Sequence, residues 1–145
     1  MENPFNSRKL LFASALFVAL TAALTYAGPS QTRRTGTPPY DPKTETTIRG
    51  VVQEVREVPG PGRSTGTHLT VKAGDDLYEV HIGPTWYLTQ EKYAFAKDDQ
   101  LEVTGSKMEY QDTDTIIARQ VKKDGKTWTL RDSHGIPLWS RHKNR

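Results

Sequence analysis

Apolar residues follow two patterns along the chain. From Leu10 to Ala27 they run almost unbroken, interrupted only by Ser14, Thr21 and Thr25. From Thr46 onward they come in short alternating bursts, punctuated by Gly, Pro and Asp. Alternation with period two predicts strands that bury one face. Thr46–Val58 carries Ile48, Val51, Val52, Val55 and Val58 around Gly50. That predicts one long strand with a bulge or bend near Gly50. Pro59-Gly60-Pro61-Gly62 ends it, and Gly60–Gly66 reads as a loop. Thr67–Ala73 alternates Leu69 and Val71, and Leu77–Ile82 sets Tyr78, Val80 and Ile82 on one face. The turn Gly74-Asp75-Asp76 between them predicts an antiparallel hairpin. Its register places His68 opposite roughly residues 81–83.

Gly83-Pro84 then breaks the strand pattern. Residues 84–92 suit a short helix, because Pro84 is tolerated in a first turn and Glu91 and Lys92 can face water. Gln100–Thr104, with Leu101 and Val103, predicts a fourth strand closed by Gly105. Thr115–Lys122, with Ile116, Ile117, Ala118 and Val121, predicts a fifth. The polar link Lys107–Asp114 reads as an exposed turn. After Asp124-Gly125, Lys126–Arg131 and Ile136–Trp139 predict an added C-terminal hairpin turning at Asp132–Gly135. Strand, strand, strand, short helix, strand, strand is the order of an OB-fold: a small five-stranded barrel with its helix between strands three and four. An SH3-like barrel or small sandwich is the rival all-β reading.

Composition changes the picture mainly at the N-terminus. The first 27 residues hold 17 of the chain's 50 hydrophobic residues. Arg8 and Lys9 precede the apolar run, and the small-x-small end Thr25-Tyr26-Ala27 closes it. This is the layout of a secretory signal peptide, residues 1–27, cut after Ala27. An uncleaved membrane anchor is the competing reading, since the run is at the short edge of a bilayer span. Either one predicts work outside the cytoplasm, in the periplasm or secreted. Residues 28–45, with Arg33, Arg34, Pro38, Pro39 and Pro42, read as a disordered or extended leader. The domain proper is 46–140, and 141–145 form a basic tail.

The runs Gly83-Pro84-Thr85-Trp86-Tyr87-Leu88, Val103-Thr104-Gly105-Ser106, Ile116-Ile117-Ala118-Arg119, Leu130-Arg131-Asp132 and Gly135-Ile136-Pro137-Leu138-Trp139 resemble those of small exported bacterial OB-fold-like proteins. The likeness spans roughly Ile48–Trp139. That group is largely of unassigned function, so the resemblance implies a fold and a compartment and brings no catalytic residue to this chain.

The chain has no Cys, which excludes disulfides, thiolate metal sites, covalent haem and thiol catalysis. Asp75, Asp76, Asp98, Asp99, Asp112 and Asp114 all fall in turn positions, where Asp bonds to backbone, and none is spaced as a calcium loop or a glycosidase pair. Asp132, Ser133 and His134 are adjacent in one turn, not arranged as a convergent triad. No enzyme and no cofactor are expected. His68 and His81 are a weak candidate metal pair, with Asp75, Asp76 or Glu79 nearby as a third ligand; ordinary half-exposed histidines are the simpler reading.

Candidate binding residues are the aromatics Tyr78, Trp86, Tyr87, Trp128 and Trp139 with Arg131. Aromatic anchors with a basic rim suit partner docking, although the same Trp residues could close the barrel. The expected function is an exported, non-enzymatic binding domain for a protein, peptide or small polar ligand. A nucleic-acid or polyanion module and a structural part of a cell-envelope complex are the alternatives. The net charge of +3, with acids interleaved among the bases, argues against a nucleic-acid groove.

Overall fold

The computed structural model describes residues 38–142, so the apolar segment, most of the leader and the last three residues of the tail lie outside the described residues. Six strands and one helix follow in the order β1 (Glu45–Pro59), β2 (Thr65–Ala73), β3 (Asp76–Pro84), α1 (Thr85–Glu91), β4 (Gln100–Tyr110), β5 (Thr113–Lys123) and β6 (Lys126–Thr129). Neighbouring strands run β3-β2-β1-β4-β5-β6, and a parallel pairing of β3 with β5 closes the first five into a barrel. This is the OB-like order that the hydrophobic pattern predicts, with the helix between β3 and β4.

The long first strand makes the closure possible. Its first half, Glu45–Val51, pairs with β4, and its second half, Val51–Pro59, pairs with β2. The strand bends where it changes partners. At Gly50 an added Cβ would stand 2.3 Å from the Lys72 carbonyl oxygen, so only glycine admits this approach. The register shift itself falls slightly later, between Val52 and Glu54. Inside, Val52, Leu69, Val71, Val80, Ile82, Val103, Ile116, Val121 and Leu130 are all shut off from solvent. Helix α1 covers one end with Tyr87 and Leu88 and stops at Lys92, whose left-handed backbone lets its N–H reach the carbonyls of Leu88 and Thr89.

Three segments differ from the sequence expectation. The link Lys107–Asp114 is not a plain exposed turn. β4 runs through Gly105 to Tyr110 and β5 starts at Thr113, so only Gln111 and Asp112 turn, both with positive φ. That is the primed geometry that suits a two-residue hairpin. Near its tip the hairpin is largely exposed and carries polar residues, which is why alternation fades there.

The C-terminal hairpin also changes. β6 pairs with β5 as a short hairpin across Asp124-Gly125, but the next turn closes on a single bridge between Arg131 and Pro137. Leu138–His142 then winds as a 3-10 turn instead of extending as a strand. The Asp132 carboxylate accepts from the N–H groups of His134 and Ile136, and Pro137 has no N–H to extend a ladder.

Finally, the stretch before β1 is packed against the barrel. A 3-10 turn, Pro42–Thr44, follows Asp41, whose N–H donates to Ser106 Oγ at 3.1 Å. The Tyr40 hydroxyl donates to Glu45, and its ring lies against Gly135. Arg119 grips Glu45 through two bonds of 2.7 Å. Among the described residues no helix is long and apolar enough to cross a membrane.

Candidate functional site: a histidine-lined cleft

Alternation sends every second residue of β2 and β3 outward. On that outer face His68 and His81 are direct cross-strand partners, and Glu79 lies one step along β3 on the same side. Their imidazoles stack with centroids 3.9 Å apart and planes tilted by 29°. His68 Nδ1 and Glu79 Oε1 are 2.9 Å apart. Arg56, opposite His68 on β1, pairs with the other Glu79 oxygen. The three-residue group is therefore assembled by sheet register, and Arg56 orients its carboxylate.

The rest of the chain builds walls around this face. The loop after β1 supplies one side, and the projecting β4–β5 hairpin supplies another through Tyr110, whose ring meets His81 edge-on at 6.2 Å. Trp86 and Trp139 flank the opening, and Arg131 lies in the floor. The cleft, open to solvent on one side, has a volume of about 1100 Å³. Trp139 sits directly on β3, where a Cβ at Gly83 would come within 2.9 Å of its ring. Gly83, next to the strand's end at Pro84, thus also makes room for an aromatic wall.

Charge in the cleft is unevenly balanced. Burial pushes the Glu79 carboxyl upward, but its bond to His68 and the nearby Arg56 charge hold it below the usual range. Burial, with the adjacent His68 and Arg131 charges, drives His81 down to about 4, so it is neutral at pH 7. Arg131 is only 5% exposed and burial lowers its guanidinium to about 10, which leaves it cationic at neutral pH. Its Nη1 donates to the carbonyls of Ala118 and Ile82, and its charge sits 4.7 Å from the Trp139 ring. Among the described residues no carboxylate forms an ion pair with it.

Of the six candidate binding residues, the structure brings Trp86, Arg131 and Trp139 together at this cleft. Tyr78 and Tyr87 belong to the core, at 8% and 3% exposure, and present no binding surface. Tyr78 points inward with Val80, as alternation requires, and Tyr87 lies under Trp86 and Trp139. Trp128 stacks on Tyr93 with centroids 4.9 Å apart and meets Phe95 edge-on, away from the cleft. Ser133 and His134 touch at 3.4 Å on the surface, while Asp132 accepts from two backbone N–H groups and from the Arg141 guanidinium, not from the His134 ring.

Arg56 and Tyr110 are the cleft residues that sequence reasoning missed. Arg56 is found only once the shift after Val52 sets its register with β2, and Tyr110 only once β4 is known to pass Gly105.

No curated protein sequence matches this chain. The model of the MamS/MamX magnetosome protein family matches residues 44–128. The matched span starts at the turn before β1 and takes in all five barrel strands, the helix and the histidine pair, while Arg131 and Trp139 lie beyond it. On that match the chain belongs to the MamS/MamX magnetosome protein family.

Proposed function

We propose that this is an exported, non-enzymatic binding domain whose outer-face cleft receives a small polar ligand carrying an anionic group. The observation that carries the reading is Arg131, a buried cation in the cleft floor with no carboxylate partner among the described residues. A buried charge is costly unless something answers it. Two carbonyls and an indole face answer it in part, and an anion entering the cleft completes the set. Trp86 and Trp139 supply flat apolar walls for the remainder of such a ligand. The apolar N-terminal segment supports an extracytoplasmic setting, and the family name supports service to the magnetosome.

The test is a titration of the full chain with inorganic phosphate and with acetate, followed through the three indole N–H resonances. The reading expects saturable shifts at Trp86 and Trp139, little change at Trp128, and loss of the response in Arg131→Gln. Flat indole resonances, or an undiminished response in Arg131→Gln, overturn it. Turnover of a substrate by the purified chain overturns the non-enzymatic part.

A further inference from the structure

His68, Glu79 and His81 each offer one ligand atom, and these atoms all lie within 4.8 Å of one another. Two imidazoles and one carboxylate are the donor set of open transition-metal sites. We infer that these three side chains form a binding site for one divalent first-row transition-metal ion, with its remaining coordination positions open to the cleft. The inference does not depend on the anionic ligand proposed above.

The three donor atoms lie within 4.8 Å of one another, so one imidazole must close in on the ion, while the His68–Glu79 pair needs little movement. Bonds of about 2.0–2.2 Å around a tetrahedral ion separate donor atoms by roughly 3.3 Å. His68 Nδ1 and Glu79 Oε1 already lie 2.9 Å apart through a shared hydrogen. The ion replaces that hydrogen. Nδ1–H···Oε1 becomes Nδ1–metal–Oε1, the imidazole proton moves to Nε2, and the two atoms separate by a few tenths of an ångström. No redox change occurs.

The scaffold favours this exchange. The backbones of His68 and His81 are locked opposite each other in the β2–β3 ladder, so little chain entropy is lost when the ligands converge. Arg56 holds the far oxygen of Glu79 and leaves the near one facing the imidazoles, as outer partners of metal carboxylates do. The stacked rings must turn out of parallel to point two lone pairs at one ion. His68 is the ring free to do so, because no side chain stands at Gly66, whose missing Cβ would lie 3.6 Å from His68 Nε2.

Chemistry narrows the ion. The chain contains no Cys, so no thiolate selects a soft ion. Imidazole donors disfavour Ca²⁺ and Mg²⁺, which prefer all-oxygen shells. Ions such as Zn²⁺, Co²⁺ and Fe²⁺ accept mixed nitrogen and oxygen donors. Three protein ligands leave at least one position for water or for an anion from the cleft.

The experiment uses the full chain stripped with chelator, then titrated with Co²⁺ for its visible ligand-field absorption and with Zn²⁺ by calorimetry. One equivalent is expected to bind. His68→Gln and Glu79→Gln should each weaken binding by at least about 10-fold while His134→Gln does not. Zn²⁺ should also shift the ring resonances of both His68 and His81 in the unmutated protein, a readout independent of how well any variant folds. Static His68 and His81 resonances at millimolar Zn²⁺ overturn the inference. So does a calorimetric site that keeps its affinity in both variants.

Discussion

The Arg131 guanidinium lies 4.7 Å from the centre of the Trp139 ring and at the same time donates to the carbonyl oxygens of Ala118 and Ile82. One side chain thereby ties the C-terminal segment to both strands that close the barrel. Arg131→Ala should remove two charge-assisted hydrogen bonds, leave their two carbonyls facing an empty space and free Trp139. We expect a loss of about 2–4 kcal/mol in chemical denaturation, against less for Arg131→Lys, which keeps a donor. Equal stability of Arg131→Ala and the parent would show that the segment is held by other contacts.

Gly83→Ala tests the aromatic wall. Its Cβ would come within 2.9 Å of the Trp139 ring, closer than such contacts allow. Trp139 should swing away, with its emission shifting to the red and stability falling by about 1–3 kcal/mol. Trp86→Ala is the contrast. Trp86 is 43% exposed, so its removal should change stability by no more than about 0.5 kcal/mol while weakening the phosphate response.

The contacts before β1 predict how stability depends on pH at both extremes. The two hydrogen bonds from Arg119, assisted by one from Tyr40, hold the Glu45 carboxyl below its usual value. A carboxyl depressed by folding contributes stability above its unfolded pKa and loses it as pH falls through the folded one. Glu45→Gln should therefore flatten the acid limb of the stability curve. Burial, together with Glu45, pushes the Tyr40 hydroxyl up to about 12. A group raised by folding stabilises fully below its unfolded value near 10 and loses that contribution as pH climbs to about 12. Tyr40→Phe should abolish this alkaline loss, measured by denaturant titration across both ranges.

Leu69→Ala probes the barrel interior. Leu69 is completely buried opposite Val80, and truncation leaves a cavity among β-branched neighbours that cannot collapse. About 2–5 kcal/mol should be lost in equilibrium unfolding. A cost below about 1 kcal/mol would mean that the packed barrel does not exist in solution.

The barrel was legible in the sequence because its interior strands alternate cleanly. Leu69 and Val71 face Val80 and Tyr78 across a turn whose residue numbers set the register, and His68 lands opposite His81 as that arithmetic requires. Two kinds of segment escaped. Gly83-Pro84 does end its strand, but Gly105 read as a strand end too and β4 continues through it, because glycine in a sheet also marks where another group presses close. Strand without a fully buried face, as at residues 107–110, prints no clear period. Only Trp86 and Trp139 of the aromatic candidates line the cleft, for a related reason. Whether Tyr78 or Trp86 faces solvent depends on strand phase and on the start of α1, not on residue type. Arg131 was found, but its burial without a carboxylate was visible only in three dimensions.

β5 shares one edge between two neighbours: Thr115–Ile117 pairs with β3, and Gln120–Lys123 pairs with β6. Closure of the ring therefore hangs on three residue pairs, Glu79–Thr115, Val80–Ile116 and His81–Ile117. Two of the three β3 residues in that latch belong to the histidine–carboxylate group. A ligand held by Glu79 and His81 would brace two of these three pairs, so its arrival should be read as slowed amide exchange along β5 as well as at the ligands themselves.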